Sequence, residues 1–212
     1  LGVCVNQLRN GTIIAAQPHL AQPMNNGTGM LDMAVSTDDW KTAQQYQAPI
    51  HIPLAIRFDV FEGLIELDDG RLMMSVYGKM DGDQVRESCI FAIEDQYYKV
   101  RVVAVVSEDR GKTWRYLSTI CNHPEMTREG ADETDLIKLP TGDLFAAMRT
   151  GMHGYWDPHG REHFDEPLLI AWSRNQGKSW SEPTRIHIKD KLITGIYPRA
   201  VLTQEGVLAV LR

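Results

Sequence analysis

Apolar positions along the chain gather into short runs that break at a polar turn and resume a few residues later. Four segments share this form: 3–16 (VCVNQLRNGTIIAA), 63–78 (GLIELDDGRLMMSVYG), 134–149 (TDLIKLPTGDLFAAMR) and 199–212 (RAVLTQEGVLAVLR). Each predicts two short strands joined by a tight turn, at Asn10-Gly11, Asp69-Gly70, Thr141-Gly142 and Glu205-Gly206. Glycine suits such turns because it accepts a positive φ without steric cost. The turn glycines lie 59, 72 and 64 residues apart, a spacing that signals a repeat architecture.

A second pattern is interleaved with the first. Residues 107–114 read SEDRGKTW, with Ser107, Asp109, Gly111 and Trp114 in an S-x-D-x-G-x-T-W order. Residues 173–180 read SRNQGKSW and repeat it through Ser173, Asn175, Gly177 and Trp180, while 36–42 (STDDWKT) is a degenerate copy without the glycine or the final tryptophan. Each copy follows an apolar strand: MLDMAV, VRVVAVV or PLLIAW. An Asp side chain in a turn accepts backbone N–H bonds, glycine takes the left-handed conformation, and tryptophan wedges beneath. Nothing in the octet calls for catalysis, so these residues are expected to be structural.

Together the patterns predict a unit of strand, turn, strand, loop, strand, octet turn, strand. Four antiparallel strands per repeat describe a propeller blade. Blades are expected at about 1–50, 51–122, 123–190 and 191–212, three full and one partial, in a single all-β domain.

Composition changes this picture little. A hydrophobic share of 43% and a charged share of 24% fit a packed domain rather than disorder. A net charge of −6 offers no basic patch for nucleic acid, and no apolar run is long enough to span a bilayer as a helix. The opening LGVCVNQLRNG has neither the basic start nor the apolar stretch of a leader peptide. Cys4, Cys89 and Cys121 are too few for a disulfide framework or a metal site and read as buried small side chains.

The octet resembles the Asp-box, or bacterial neuraminidase repeat, of the sialidase superfamily. The resemblance covers essentially the whole chain. It implies a six-bladed propeller of which this chain would be about half to two-thirds. It also implies a glycan substrate, no cofactor and no metal, and a secreted or periplasmic setting. Residues 130–139 (GADETDLIKL), followed by Ala147-Met148-Arg149, are similar to a stretch of the sialidase catalytic domain. There a Glu opens one strand and an Arg closes the next. By position Glu133 would be the general base toward a tyrosine nucleophile, and Arg149 one of three arginines that clamp the substrate carboxylate. Arg199 and Tyr197, at the entry to the next blade, would also line the site; Arg57 reads as a surface strand residue.

The chemistry is coherent in its own right. A guanidinium binds carboxylate in bidentate fashion, and a neutral Tyr nucleophile avoids repelling an anionic sugar. Two family features are missing, however. The first clamp arginine would precede Leu1, and the loop 17–27 (QPHLAQPMNNG) that should hold an acid carries no Asp or Glu. His19 could stand in for it, and Asp32 is expected to be buried for structural reasons. A second loop, 151–165, holds Tyr155, Trp156, His159 and His163 with Asp157 and Asp165, suited to stacking on sugars but irregular for a metal. An exo-sialidase acting on sialic acid or a related acidic sugar is therefore expected. Another glycosidase or polysaccharide lyase on the same propeller, and a non-catalytic glycan-binding propeller, stand as alternatives.

Overall fold

A computed structural model describes residues 2–19, 24–53, 55–83, 100–122, 130–150, 155–156, 162–163 and 167–211, with backbone alone at 56, 155–156 and 162–163. Among the described residues there is no helix, hence none long and apolar enough to cross a membrane. The strands form meanders. The first comprises β1 (Cys4–Gln7), β2 (Ile13–Pro18), β3 (Thr28–Ser36) and β4 (Gln44–His51), each antiparallel to the next. The second comprises β5 (Ala55–Glu66), β6 (Leu72–Met80), β7 (Arg101–Ser107) and β8 (Trp114–Cys121). The third runs through β9 (Ala131–Lys138) and β10 (Leu144–Thr150), passes a small hairpin of β11 (Tyr155–Trp156) and β12 (Glu162–His163), and ends in β13 (Leu169–Ser173) and β14 (Thr184–Arg185). A ribbon of β15 (His187–Ile188) and β16 (Lys191–Leu192) leads to a last hairpin, β17 (Arg199–Leu202) and β18 (Leu208–Leu211).

The meanders stack face to face, and the core lies between them. Ile14, Leu31, Met33 and Ile50 of the first meet Leu72, Met74, Val76, Val103 and Val105 of the second. On the other side of the second, Met73, Val102 and Ala104 meet Leu136, Leu144, Ala146 and Met148. Phe145 and Ala147 then turn to Ala200. Because the middle blades bury both faces, their strands read as unbroken apolar runs such as LMMSV and VVAVV rather than as alternating ones. β4 and β8 touch in parallel at Ile50–Trp114 and His51–Arg115, which links two meanders into one eight-stranded sheet.

The four hairpin turns are built alike. In each, the glycine N–H donates to the residue three before it: Gly11 to Leu8, Gly70 to Leu67, Gly142 to Leu139 and Gly206 to Thr203. The glycines have φ of 85°, 85°, 86° and 81°, and the first residue's N–H donates back to the residue after the glycine. This is a type I turn closed by a glycine bulge. It explains why Asn, Asp, Thr and Glu are all tolerated before the glycine: that position keeps a negative φ.

The octets close the third-to-fourth strand turns. Gly111 N–H donates to Ser107 Oγ at 2.7 Å and Thr113 N–H to Asp109 Oδ1 at 2.9 Å; Ser107 Oγ itself donates to Asp109 Oδ1 at 2.8 Å. Gly177, Ser173, Ser179 and Asn175 reproduce the pattern at 2.8 and 2.9 Å. In the 36–42 copy Trp40 stands where the others have glycine, at φ 67°, and donates to Ser36 Oγ at 2.9 Å. Trp114 is buried, its Nε1 on Gly111 O at 3.2 Å. Trp180 Nε1 donates to Ser118 Oγ of the preceding blade at 3.1 Å. Cys4 and Cys121 are buried and free; Cys89 lies outside the described residues.

Candidate functional site

Strand direction alternates, so the glycine turns and the octets share one end of every blade. The other end gathers the start of β1, β5, β9 and β17 and the finish of β2, β6 and β10. Glu133 and Arg149 lie there, on neighbouring strands. Arg149 Nη1 stands 3.3 Å from Glu133 Oε1 and 3.5 Å from Asp132 Oδ2. The side chains of Asp132, Glu133 and Arg149 are 4%, 12% and 12% exposed, so the cluster is shielded rather than a rim ion pair in bulk water. The register of β9 on β10 slips between Met148 and Thr150. That bulge lets one guanidinium serve two consecutive carboxylates.

Asp132 also accepts the Glu133 N–H at 2.7 Å. Glu133 Oε2 is buried and has no hydrogen-bond partner among the described residues. A carboxylate oxygen left open in a shielded place can accept from a substrate hydroxyl or water.

Two side chains of the second blade complete the cluster. Tyr77 on β6 is paired in register with Asp59 on β5 and packs toward the third blade. Burial, followed by the charges of Asp59, Asp132 and Glu133, pushes the Tyr77 phenol well above its ordinary value. It therefore stays a neutral donor. Burial also raises the Asp59 carboxyl, which holds it toward the protonated form. Asp135 is raised by burial as well, but its Oδ2 is occupied by the Ala200 N–H at 2.7 Å. The site thus combines a paired carboxylate, a carboxyl inclined to keep its proton, and a neutral phenol.

Tyr197 and Arg199 are placed differently from Arg149. Arg199 pairs with Glu62 of β5, and Tyr197 stacks on Phe61 with ring centroids 5.5 Å apart. The structure thus joins Glu133 to Arg149, and joins Tyr197 and Arg199 to β5. Asp132, Asp59, Tyr77, Phe61 and Glu62 were not singled out by sequence reasoning. A cue existed for two of them: the isolated Gly63 inside an apolar run marks a bulge that aims its neighbours. Arg57 is exposed.

The His19 loop gives a correction. Asp32, expected to be buried, is part-exposed on a face of β3 that no other meander among the described residues covers. It accepts His19 Nδ1 at 2.9 Å and Gln47 Nε2 at 3.2 Å. A cleft of about 550 Å³ lined by Gln17, Asp32, Tyr46 and Gln47 lies beside the pair. Residues 20–23 of that loop, and the side chains of loop 151–165, lie outside the described residues. Among the described residues no group of three or more His, Cys, Asp or Glu is arranged to hold a metal.

No known family's sequence profile matches the chain, and no curated protein matches it in sequence. Solved structures do resemble it. A protein of unknown function from Dyadobacter fermentans superposes with a TM-score of 0.67 at 19% identity, over 98% of this chain and 55% of that one. The GH93 α-L-arabinofuranosidase of Fusarium graminearum, solved with arabinobiose, gives 0.66 at 14% identity, over 99% and 58%. A Hadza microbial sialidase gives 0.54 at 18%, over 85% and 32%. The chain therefore spans little more than half the length of the first two and about a third of the last. These likenesses show the fold: an all-β, propeller-like stack of the type these structures share.

Proposed function

We propose that the chain forms part of a glycoside hydrolase that cleaves a neutral glycan at the cluster of Glu133, Asp132, Asp59, Tyr77 and Arg149. The observation that carries this reading is the shielded Asp132–Arg149–Glu133 arrangement with the open Glu133 Oε2. Glycoside cleavage needs one carboxyl to protonate the leaving oxygen and another to attack, or to activate water. Asp59, inclined by burial to keep its proton, suits the first role; Glu133, aligned by Arg149, suits the second. The likeness to arabinofuranosidase and sialidase structures is consistent with a sugar substrate.

Arg149 bears on the choice of sugar. Its guanidinium already serves two carboxylates. Capturing a substrate carboxylate would mean releasing them, and two carboxylates already face the one guanidinium. Such a site repels an anion. A neutral sugar, a pentose among the first to try, fits better than sialic acid. A second reading, hydrolysis of a terminal sialic acid or related acidic sugar, is favoured by one observation: Glu133 and Arg149 adjoin as the sialidase resemblance implies.

The test is hydrolysis of aryl glycosides, an α-L-arabinofuranoside and an α-sialoside among them, by the protein at its natural length beside Glu133→Gln and Asp59→Asn. Turnover of a neutral glycoside that falls by about 10³ or more in Glu133→Gln supports the first reading. Turnover confined to the sialoside selects the second. A folded protein inert on every glycoside overturns both.

A further inference from the structure

We infer that Phe61, Glu62, Tyr197 and Arg199 form a sugar-binding subsite beside the carboxyl cluster, for a neutral ring adjoining the bond that is cut; the inference rests on the glycosidase reading. β5 slips register against β6 between Val60 and Leu64, so residues 61–63 bulge out of the ladder. Gly63, at φ 86°, sits under β9 so closely that a Cβ would stand 2.7 Å from Leu136 N and 2.8 Å from Ser75 Oγ. The bulge is pinned from two further sides. Cys4 Sγ donates to Phe61 O at 2.9 Å, and Ser75 Oγ lies 3.0 Å from Glu62 O and 3.1 Å from Thr134 O. Thr134 directly follows Glu133, which places the bulge next to the cluster.

What the bulge displays is suited to a sugar. Phe61 and Tyr197 stack at 5.5 Å with planes 23° apart, and Tyr197 is 53% exposed. An exposed aromatic face at a fixed angle matches the apolar C–H face of a sugar ring. Tyr197 keeps φ 54°, a backbone that a bulky residue adopts at a cost and that is concentrated at ligand clamps. Beside the rings, Glu62 and Arg199 pair with side-chain exposures of 25% and 49%. That pair offers acceptors and donors to hydroxyl groups while carrying no net charge, which favours a neutral ring over an acidic one.

The experiment compares the natural-length protein with Tyr197→Ala, Tyr197→Phe and Tyr197→Trp, each first checked for an unchanged Tm. Kinetics are read on the preferred aryl monosaccharide and on the matching oligosaccharide. Binding is read without turnover on Glu133→Gln protein, using a printed array of neutral and acidic oligosaccharides. Tyr197→Ala is expected to raise KM for the oligosaccharide by about tenfold with kcat nearly unchanged. It should leave the aryl monosaccharide within about twofold, and Phe or Trp should restore the loss. Hydrolysis with no dependence on Tyr197 overturns the subsite and leaves the hydrolase standing. Array binding that vanishes in Tyr197→Ala, without hydrolysis of anything, overturns the hydrolase and leaves the subsite standing. A folded protein that binds nothing on the array overturns the subsite too.

Discussion

Two aspartates show how the same side chain acts in opposite senses on this framework. Burial raises the Asp59 carboxyl, so its contribution to stability is present below the unfolded Asp value of about 3.9 and is lost as pH rises through the higher folded value. Asp59→Asn should therefore raise Tm at pH 7 relative to the parent and change it little at pH 3. The same substitution should abolish activity if Asp59 is the proton donor. Melting curves at the two pH values settle the first part; a lower Tm at pH 7 would show that the carboxylate is stabilising where it stands. Asp38 behaves the other way. The Thr42 N–H, the Thr42 hydroxyl and the Ser36 hydroxyl hold its carboxyl below the usual range. Its contribution is present above about pH 4 and fades as pH falls. Asp38→Asn, which makes this turn like the Asn175 copy, should flatten the acid limb of the stability profile.

Trp40 is the residue-scale oddity of that turn. Gly111 and Gly177 hold the equivalent place at φ 87° and 78°, whereas Trp40 holds it at 67° and stays 45% exposed. Left-handed backbone costs an L residue roughly 1–2 kcal/mol, and an exposed ring recovers part of that. Trp40→Gly should raise unfolding free energy by up to about 1 kcal/mol, read by urea denaturation. A loss instead would mean that the indole packs usefully against its own blade.

At the scale of the element, glycine has two distinct jobs. A Cβ at Gly70 would meet nothing within 4 Å, while one at Gly177 would collide with Met73 Cε in the neighbouring blade. Gly70→Ala should cost only the left-handed penalty, roughly 1–2 kcal/mol. Gly177→Ala should add about 1–3 kcal/mol for overpacking the blade interface, and the double variant Gly177→Ala/Met73→Ala should cost less than the sum of the two single ones. Equal costs at the two glycines would show that the interface yields freely.

This difference also marks what was legible in the sequence. The hairpins could be read because a type I turn with a glycine bulge is encoded within five residues, and the octets because their hydrogen bonds close within eight. Glu133 and Arg149 were legible only through the resemblance of residues 130–149 to a sialidase stretch, which sets one at the start of a strand and the other at the end of the next. Asp59, Tyr77 and Glu62 did not, because their meaning depends on which face of one blade meets the next. The side of β6 that carries Tyr77 is fixed by Leu72, Met74 and Val76 turning toward the first blade, and that choice leaves no mark near residue 77. The exposure of Asp32 is of the same kind: its strand alternates as expected, but no blade among the described residues covers that face.

For the whole molecule, the stack of blades predicts a gradient of local stability. β6 and β7 are packed on both faces: Leu72, Met74, Val103 and Val105 on one side, and Met73, Val102 and Ala104 on the other. The β17–β18 hairpin buries Ala200 against the third blade but leaves Val201, Val207 (in its turn) and Leu211 45%, 58% and 57% exposed. In a repeat stack each unit is stabilised by its neighbours, so for residues 1–212 on their own a hairpin packed on one side should open more often than a blade packed on two. Amide hydrogen exchange should therefore be slowest at residues 73–76 and 102–105 and faster by about 100-fold or more at 200–202 and 208–210. The carboxyl cluster, borne by β5, β6, β9 and β10, belongs to the slow region. Tyr197 and Arg199 belong to the fast one, tied to the centre through Phe61, Glu62 and the Ala200–Asp135 bond. A sugar bridging both regions would slow exchange in β17 selectively while leaving β6 and β7 unchanged. Uniform protection across all the strands would instead mean that the last hairpin opens with the stack as one cooperative unit. Ligand binding there would then shift global Tm rather than local exchange.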